Sequence, residues 1–154
     1  MRNFDEWLTT IPETITDAPL WKMKVYRLAL FLGDLAWHDV SKLVTRRGTI
    51  NLADQLFRAV GSIGANIAEG YSRQSGKDRT RFYEYALGSA RENRHWYYVG
   101  RQVLSEPVVE HRINLLAEIA RLLLTMIPLE RTRNLAEEPA SYEVALSETL
   151  DSSL

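Results

Sequence analysis

The sequence predicts an all-α protein, an up-down-up-down four-helix bundle. Apolar residues recur at three- and four-residue spacing through four long segments. No stretch keeps the alternating pattern of a half-buried strand, and proline, glycine and polar residues fall between the segments as short loops. One segment, Ala59 to Arg73, has almost no ordinary solvent face, which points to packing on more than one side and so to an oligomer. The chain divides into an N-terminal arm (1–19), the bundle (20–134) and an acidic C-terminal tail (135–154), expected to be mobile or a short helix at best.

Pro12 and Pro19 interrupt the arm. The first long helix is expected to start after Asp17, a residue suited to capping free amides, and to run to about Leu43. Trp21, Val25, Leu28, Leu32 and Leu35 form its apolar stripe. Gly48 breaks the chain, Thr49 or Asn51 caps the second helix, and Gly70 is expected to end it in a left-handed conformation. Residues 71–77 read as a loop, and the third helix extends from Asp78 to about Leu104. Glu106-Pro107 opens the fourth, with Val109, Ile113, Leu116, Ile119, Ala120, Leu123 and Ile127 as apolar positions, and Pro128 is expected to end or kink it.

At 100° per residue, the second helix shows three arcs. Leu52, Leu56, Val60, Ile63 and Ile67 face the bundle core. Ala53, Phe57, Gly61, Gly64, Ala65 and Ala68 form a small-residue arc that admits another backbone; glycine within a helix costs about 1 kcal/mol relative to alanine, so two of them imply a compensating close approach. Gln55, Arg58, Ser62, Asn66 and Glu69 form a polar stripe. That stripe reads either as a catalytic group with Glu69 as base, or as a structural one with Arg58 neutralising Glu69. The structural reading is preferred.

On the third helix the expected core arc is Phe82, Tyr85, Ala86, Ser89, Asn93, Trp96, Gly100 and Val103. Opposite lie Tyr83, Leu87, Arg91, Arg94, Tyr98 and Arg101, arginines interleaved with tyrosines, which suits phosphates and unpaired bases and equally suits a subunit interface. Arg73, Lys77, Arg79 and Arg81 add positive charge at the preceding loop and are the stronger nucleic-acid candidates.

Net charge is -1, unevenly spread: residues 20–134 carry 18 basic against 11 acidic side chains, and the tail carries Glu137, Glu138, Glu143, Glu148 and Asp151 with no base. The body is therefore +7 between acidic ends, which suits a polyanionic partner. With no cysteine there is no disulfide or thiolate chemistry, and no signal core or spanning apolar run is present, so a cytoplasmic protein is expected. Glu92-x-x-His95 has di-iron bundle spacing, but those sites need two such motifs. His38, His95 and His111 have no nucleophile pattern to serve, and Gly61-Ser62-Ile63-Gly64 lacks the following Lys-Ser/Thr of a phosphate loop. No enzyme, metal or cofactor is expected.

The run Gln55-Leu56-Phe57-Arg58-Ala59-Val60-Gly61-Ser62-Ile63-Gly64-Ala65-Asn66-Ile67-Ala68-Glu69-Gly70, followed by Arg73, Phe82, Gly88-Ser89 and Glu92, resembles the signature of the four-helix proteins encoded within 23S rRNA intervening sequences. Phe57 stands where that pattern has Arg, Gly64-Ala65 where it often has Pro-Ser, and Arg91 where a small or apolar residue is common. The resemblance covers about residues 20–130 and implies a protomer of a ring-shaped homo-oligomer, typically a homopentamer. It gives Arg58, Gly61, Ser62, Gly64, Asn66, Glu69, Gly70, Gly88, Ser89 and Glu92 a structural or assembly role. The family is similar in architecture to the accessory variability determinant of diversity-generating retroelements, which works beside a reverse transcriptase and RNA. Two functions follow as expectations: a non-catalytic oligomer that binds nucleic acid, RNA before DNA, through a basic surface as an accessory factor to a reverse transcriptase, or a protein-interaction scaffold whose basic face meets an acidic segment.

Overall fold

A computed structural model describes residues 3–133. Six helices carry the fold: α1 (Phe4–Leu8), α2 (Glu13–Thr16), α3 (Lys24–Leu43), α4 (Ile50–Ser72), α5 (Gly76–Val99) and α6 (Glu106–Thr132). Short 3-10 turns at Pro19–Lys22, Arg47–Thr49 and Gly100–Gln102 join or extend them. No strand occurs among the described residues, and no helix there is long and apolar enough to cross a membrane. The long helices α3 to α6 are those the sequence predicts.

Their ends differ in detail. α3 starts at Lys24, because the chain from Pro19 to Lys22 takes a 3-10 turn first. Thr49 occupies the cap position of α4, but its hydroxyl donates to the Leu43 carbonyl at 2.5 Å and caps nothing. Gly70 does not end α4 and has no positive φ; the helix continues to Ser72. The reason for glycine there is space, since a Cβ would sit 2.7 Å from the Tyr83 ring. α5 begins two residues before Asp78, where Ser75 accepts from the Asp78 amide and donates to its carboxylate, a reciprocal cap. α6 runs through Pro128 to Thr132.

The core is aliphatic. Leu28, Leu32 and Leu35 of α3 meet Leu56, Val60, Ile63 and Ile67 of α4, together with Leu116, Ile119, Leu123 and Met126 of α6, all buried. α5 sits rotated from the expected orientation. Tyr83 (0% exposed) and Leu87 are buried, whereas Tyr85 is 53% exposed. Tyrosines and arginines occur on both sides of α5, so its hydrophobic signal is weak, and two contacts decide the rotation. Tyr83 fills the space left by Gly70, and Tyr97 reaches Asp39 across the core.

The arm does more than lead into the bundle. Trp7 (1% exposed) enters the core against Phe4, Trp21 and Phe31, and its indole N–H donates to Asp34 at 2.7 Å. It covers the side where α3 packs more sparsely on α6 than the other neighbouring long helices pack on each other.

The small-residue arc of α4 is divided: Ala53 is buried in the core, whereas Gly61 and Ala65 are exposed. A Cβ at Gly61 would touch nothing within 4 Å, and one at Gly64 would meet only the Ala29 methyl at 3.7 Å. The residues expected in the mobile tail, 135–154, lie outside those described.

Candidate nucleic-acid interface

Residues 91, 94, 95 and 98 recur at helical spacing on α5, so their side chains stand along one edge of that helix. Arg91, Arg94, His95 and Tyr98 face Ile113 of α6 across a cleft of about 340 Å³. Tyr98 and Ile113 also line the adjoining cavity, about 650 Å³, with Arg101 and Gln102 on one side and Glu106, Glu110 and Asn114 on the other. The two spaces form one groove between α5 and α6. Tyr98 is 56% exposed, and the Arg101 guanidinium lies 4.1 Å from its ring centroid, held by a 2.9 Å bond to the Tyr98 carbonyl. Arg91 and Arg94 are exposed, and neither makes an ion pair among the described residues. Unpaired guanidiniums beside a half-open aromatic face can bind a phosphate and stack a base.

The loop cluster is divided. Lys77 is exposed, and Arg73 and Arg81 flank Phe82 at 4.9 and 5.2 Å, but both are compensated: Arg73 pairs with Glu69, and Arg81 with Asp78 at 3.7 Å. Arg79 is no surface residue. It is 8% exposed, donates to Glu130 at 2.5 Å, and binds the carbonyls of Arg73 and Gln74 at 2.8 and 2.9 Å. Its guanidinium satisfies a fully buried carboxylate and pins the loop, so no phosphate can reach it. Tyr83 is likewise excluded by burial. The expected basic surface therefore loses Arg79 and Tyr83 and centres on the α5–α6 groove.

The polar stripe of α4 takes structural contacts, though not the expected ones. Arg58 pairs with Asp54 at 2.7 Å, one turn away, and not with Glu69, which pairs with Arg73. The Ser62 and Ser89 hydroxyls share a 2.9 Å bond between α4 and α5, and Asn66 donates to the Ser62 carbonyl and hydroxyl at 2.8 and 3.0 Å. Glu92 accepts from the Trp96 indole at 3.0 Å, and Gly88 is exposed. The His95 ring lies 4.7 Å from that of Trp96. No group of His, Cys, Asp or Glu among the described residues could hold a metal ion.

Sequence reasoning missed three things. His95 belongs with Arg91 and Tyr98, and its i+4 and i−3 spacing from them was the available signal. Glu130, fully buried between Arg79 and Arg133 (3.0 Å), carried no signal beyond sitting one turn from the helix end. The third is a buried cluster joining three helices: Arg112 donates to both oxygens of Asp39 (2.7 and 3.1 Å), and the Tyr97 hydroxyl donates to the same carboxylate at 2.9 Å. Burial and the Asp39 charge push the Tyr97 hydroxyl far above its usual range. Arg112 also donates to Nδ1 of His111 at 2.8 Å, and burial, then the Arg112 charge, lower the His111 pKa.

Four long helices packed around one aliphatic core define an all-α bundle protein. The 23S rRNA-intervening sequence protein family model matches residues 22–125, and the chain belongs to that family. It is similar to a solved structure from Bacteroides thetaiotaomicron described as a protein of unknown function from the S23 ribosomal protein family. The two are 27% identical with a TM-score of 0.63, over 67% of this chain and 97% of that one. No curated protein matches the chain at a significant level.

Proposed function

We propose that this protein is a non-catalytic bundle that binds nucleic acid, RNA in particular, through the α5–α6 groove. The observation that carries the reading is the set of Arg91, Arg94 and His95 around exposed Tyr98, with neither arginine matched to a carboxylate among the described residues. The family's description, tied to rRNA, and the +7 body support it. The arginines would hold the backbone and Tyr98 would stack an unpaired base; stacking is worth about 1–3 kcal/mol per base.

Fluorescence anisotropy with a single-stranded oligouridine tests this. Affinity should fall with salt, and Arg91→Glu with Arg94→Glu should flatten the log–log slope by about 1.4, from about 0.7 per lost phosphate contact on a single strand. No salt-dependent binding, or an unchanged slope in a folded double variant, refutes it.

We further propose that the protomer self-associates through the α3–α4 face, as a closed ring. Trp37 is 66% exposed and meets Phe57 edge-on at 5.8 Å, beside the open surface at Gly61. Light scattering on Trp37→Glu checks it, and a wild-type monomer refutes it. Service beside a reverse transcriptase rests on architectural resemblance alone; co-purification with such an enzyme is its test. An acidic protein partner for the same groove is the competing scaffold reading, favoured if oligonucleotides fail to bind.

A further inference from the structure

We infer that the chain's own acidic segment, residues 134–154, docks in the α5–α6 groove and competes there with nucleic acid. The competition rests on the nucleic-acid reading above; the docking does not.

Three observations converge. The first is charge. Arg91 and Arg94 stand exposed without a carboxylate partner among the described residues, and the segment after Arg133 holds Glu137, Glu138, Glu143, Glu148 and Asp151 with no base. The second is apolar match. Ile113, Ala117, Ala120 and Leu124 share one face of α6 at helical spacing, and Leu124 is 51% exposed. The segment interleaves Val144, Leu146 and Leu150 with its acids. A strip of apolar side chains flanked by arginines suits a partner that carries both.

The third is reach. The ion pairs Arg79–Glu130 and Arg131–Glu84 register the start of α5 against the end of α6, so the chain leaves the bundle along the same α5–α6 seam, at the end opposite the groove. From Arg133 back to Ile113 is 20 residues of helix, about 30 Å. Ten residues of extended chain span about 33 Å, enough to bring Glu143 level with Ile113, and Glu148 has further slack to reach Arg94 and Tyr98. A tethered segment acts at an effective concentration of order 1 mM, so an intrinsic dissociation constant of ~0.2 mM would weaken a competitor about sixfold.

The experiment uses the full chain. It contains no cysteine, so Ser147→Cys gives a single attachment point for a benzophenone photo-crosslinker. Irradiation and peptide mapping should place adducts between Arg91 and Ile113, lost in roughly 0.5 M salt, where screening is short-ranged, and lost in Arg91→Glu with Arg94→Glu. Adducts on the Trp37–Phe57 face, or none, overturn the docking. Mixing probe-bearing chains with ¹⁵N chains separates a tail on its own bundle from one on a second copy; adducts only between copies overturn the proposal as stated. In parallel, replacing the five tail acids by Gln and Asn should tighten oligouridine binding about sixfold, the tethering factor above. Unchanged affinity alongside groove adducts overturns competition. No oligouridine binding by either protein, with the adducts intact, overturns the nucleic-acid reading and leaves the docking standing.

Discussion

Replacing Arg112 with alanine should destabilise the protein severely without touching the proposed groove. Asp39 on α3 is 2% exposed and Arg112 on α6 is 4% exposed, and the guanidinium donates to both oxygens of that carboxylate, which also accepts from the Tyr97 hydroxyl. Removing it leaves a buried carboxylate held, among the described residues, by the Tyr97 hydroxyl alone. Breaking one side of a buried pair costs about 3–5 kcal/mol, a large share of the roughly 5–15 kcal/mol that holds a domain folded. In urea, followed by circular dichroism, the midpoint should drop with the slope unchanged. Replacing all three partners (Asp39→Leu, Tyr97→Phe, Arg112→Met) should recover most of the loss, because burying well-packed apolar groups avoids the desolvation of the charges. A loss below about 1 kcal/mol in Arg112→Ala would refute the reasoning. It would mean that water entering the cleft lined by Asp34, His38 and Lys42 solvates Asp39 as well as arginine does.

Other outcomes are equally definite. Gly76→Ala should destabilise by about 3 kcal/mol, the upper end of overpacking, because the new methyl would overlap the backbone carbonyl of Glu130; a denaturation midpoint equal to wild type contradicts the packing. Gly61→Leu should leave the chain's folding intact and weaken the proposed self-association, since a Cβ there would meet nothing within 4 Å among the described residues outside its own helix; light scattering beside thermal melting separates the two. His111 has a lowered pKa in the fold, so below about pH 6.5 the unfolded chain binds a proton that the folded one resists. Stability is therefore full above that pH and falls as pH drops through it, and His111→Gln should flatten the melting-temperature profile between pH 7.5 and 5.

The four long helices were legible because α3, α4 and α6 carry strong apolar stripes, such as Leu28-Leu32-Leu35 and Leu56-Val60-Ile63-Ile67. α5 was not legible in rotation. Its tyrosines serve as core at 83 and 97 and as surface at 85 and 98, and only their partners on other helices distinguish them. For the same reason Arg79 and Arg112 look in sequence like any other basic residue. Their carboxylates, Glu130 and Asp39, lie 51 and 73 positions away. Gly70 looked like a helix stop because glycine often is one; here it makes room for a ring. What the sequence did reveal of the groove was a spacing, 91-94-98-101, which holds whatever the rotation turns out to be.

The thinly packed side of the bundle, where α3 meets α6, is bridged by the Asp39–Arg112 pair and the Lys24–Glu118 pair, and is capped by Trp7. A thinly packed side closed by a five-residue helix is where a bundle would open first. Backbone amides of α1 should exchange with solvent well ahead of those in α4, whose Leu56, Ile63 and Ile67 are sealed on all sides. Breathing would then occur as release of the arm followed by hinging of α3, with α4, α5 and α6 staying together. The groove at α5 and α6 lies within the part that stays closed, so its arginines would keep their spacing while the opposite flank loosens.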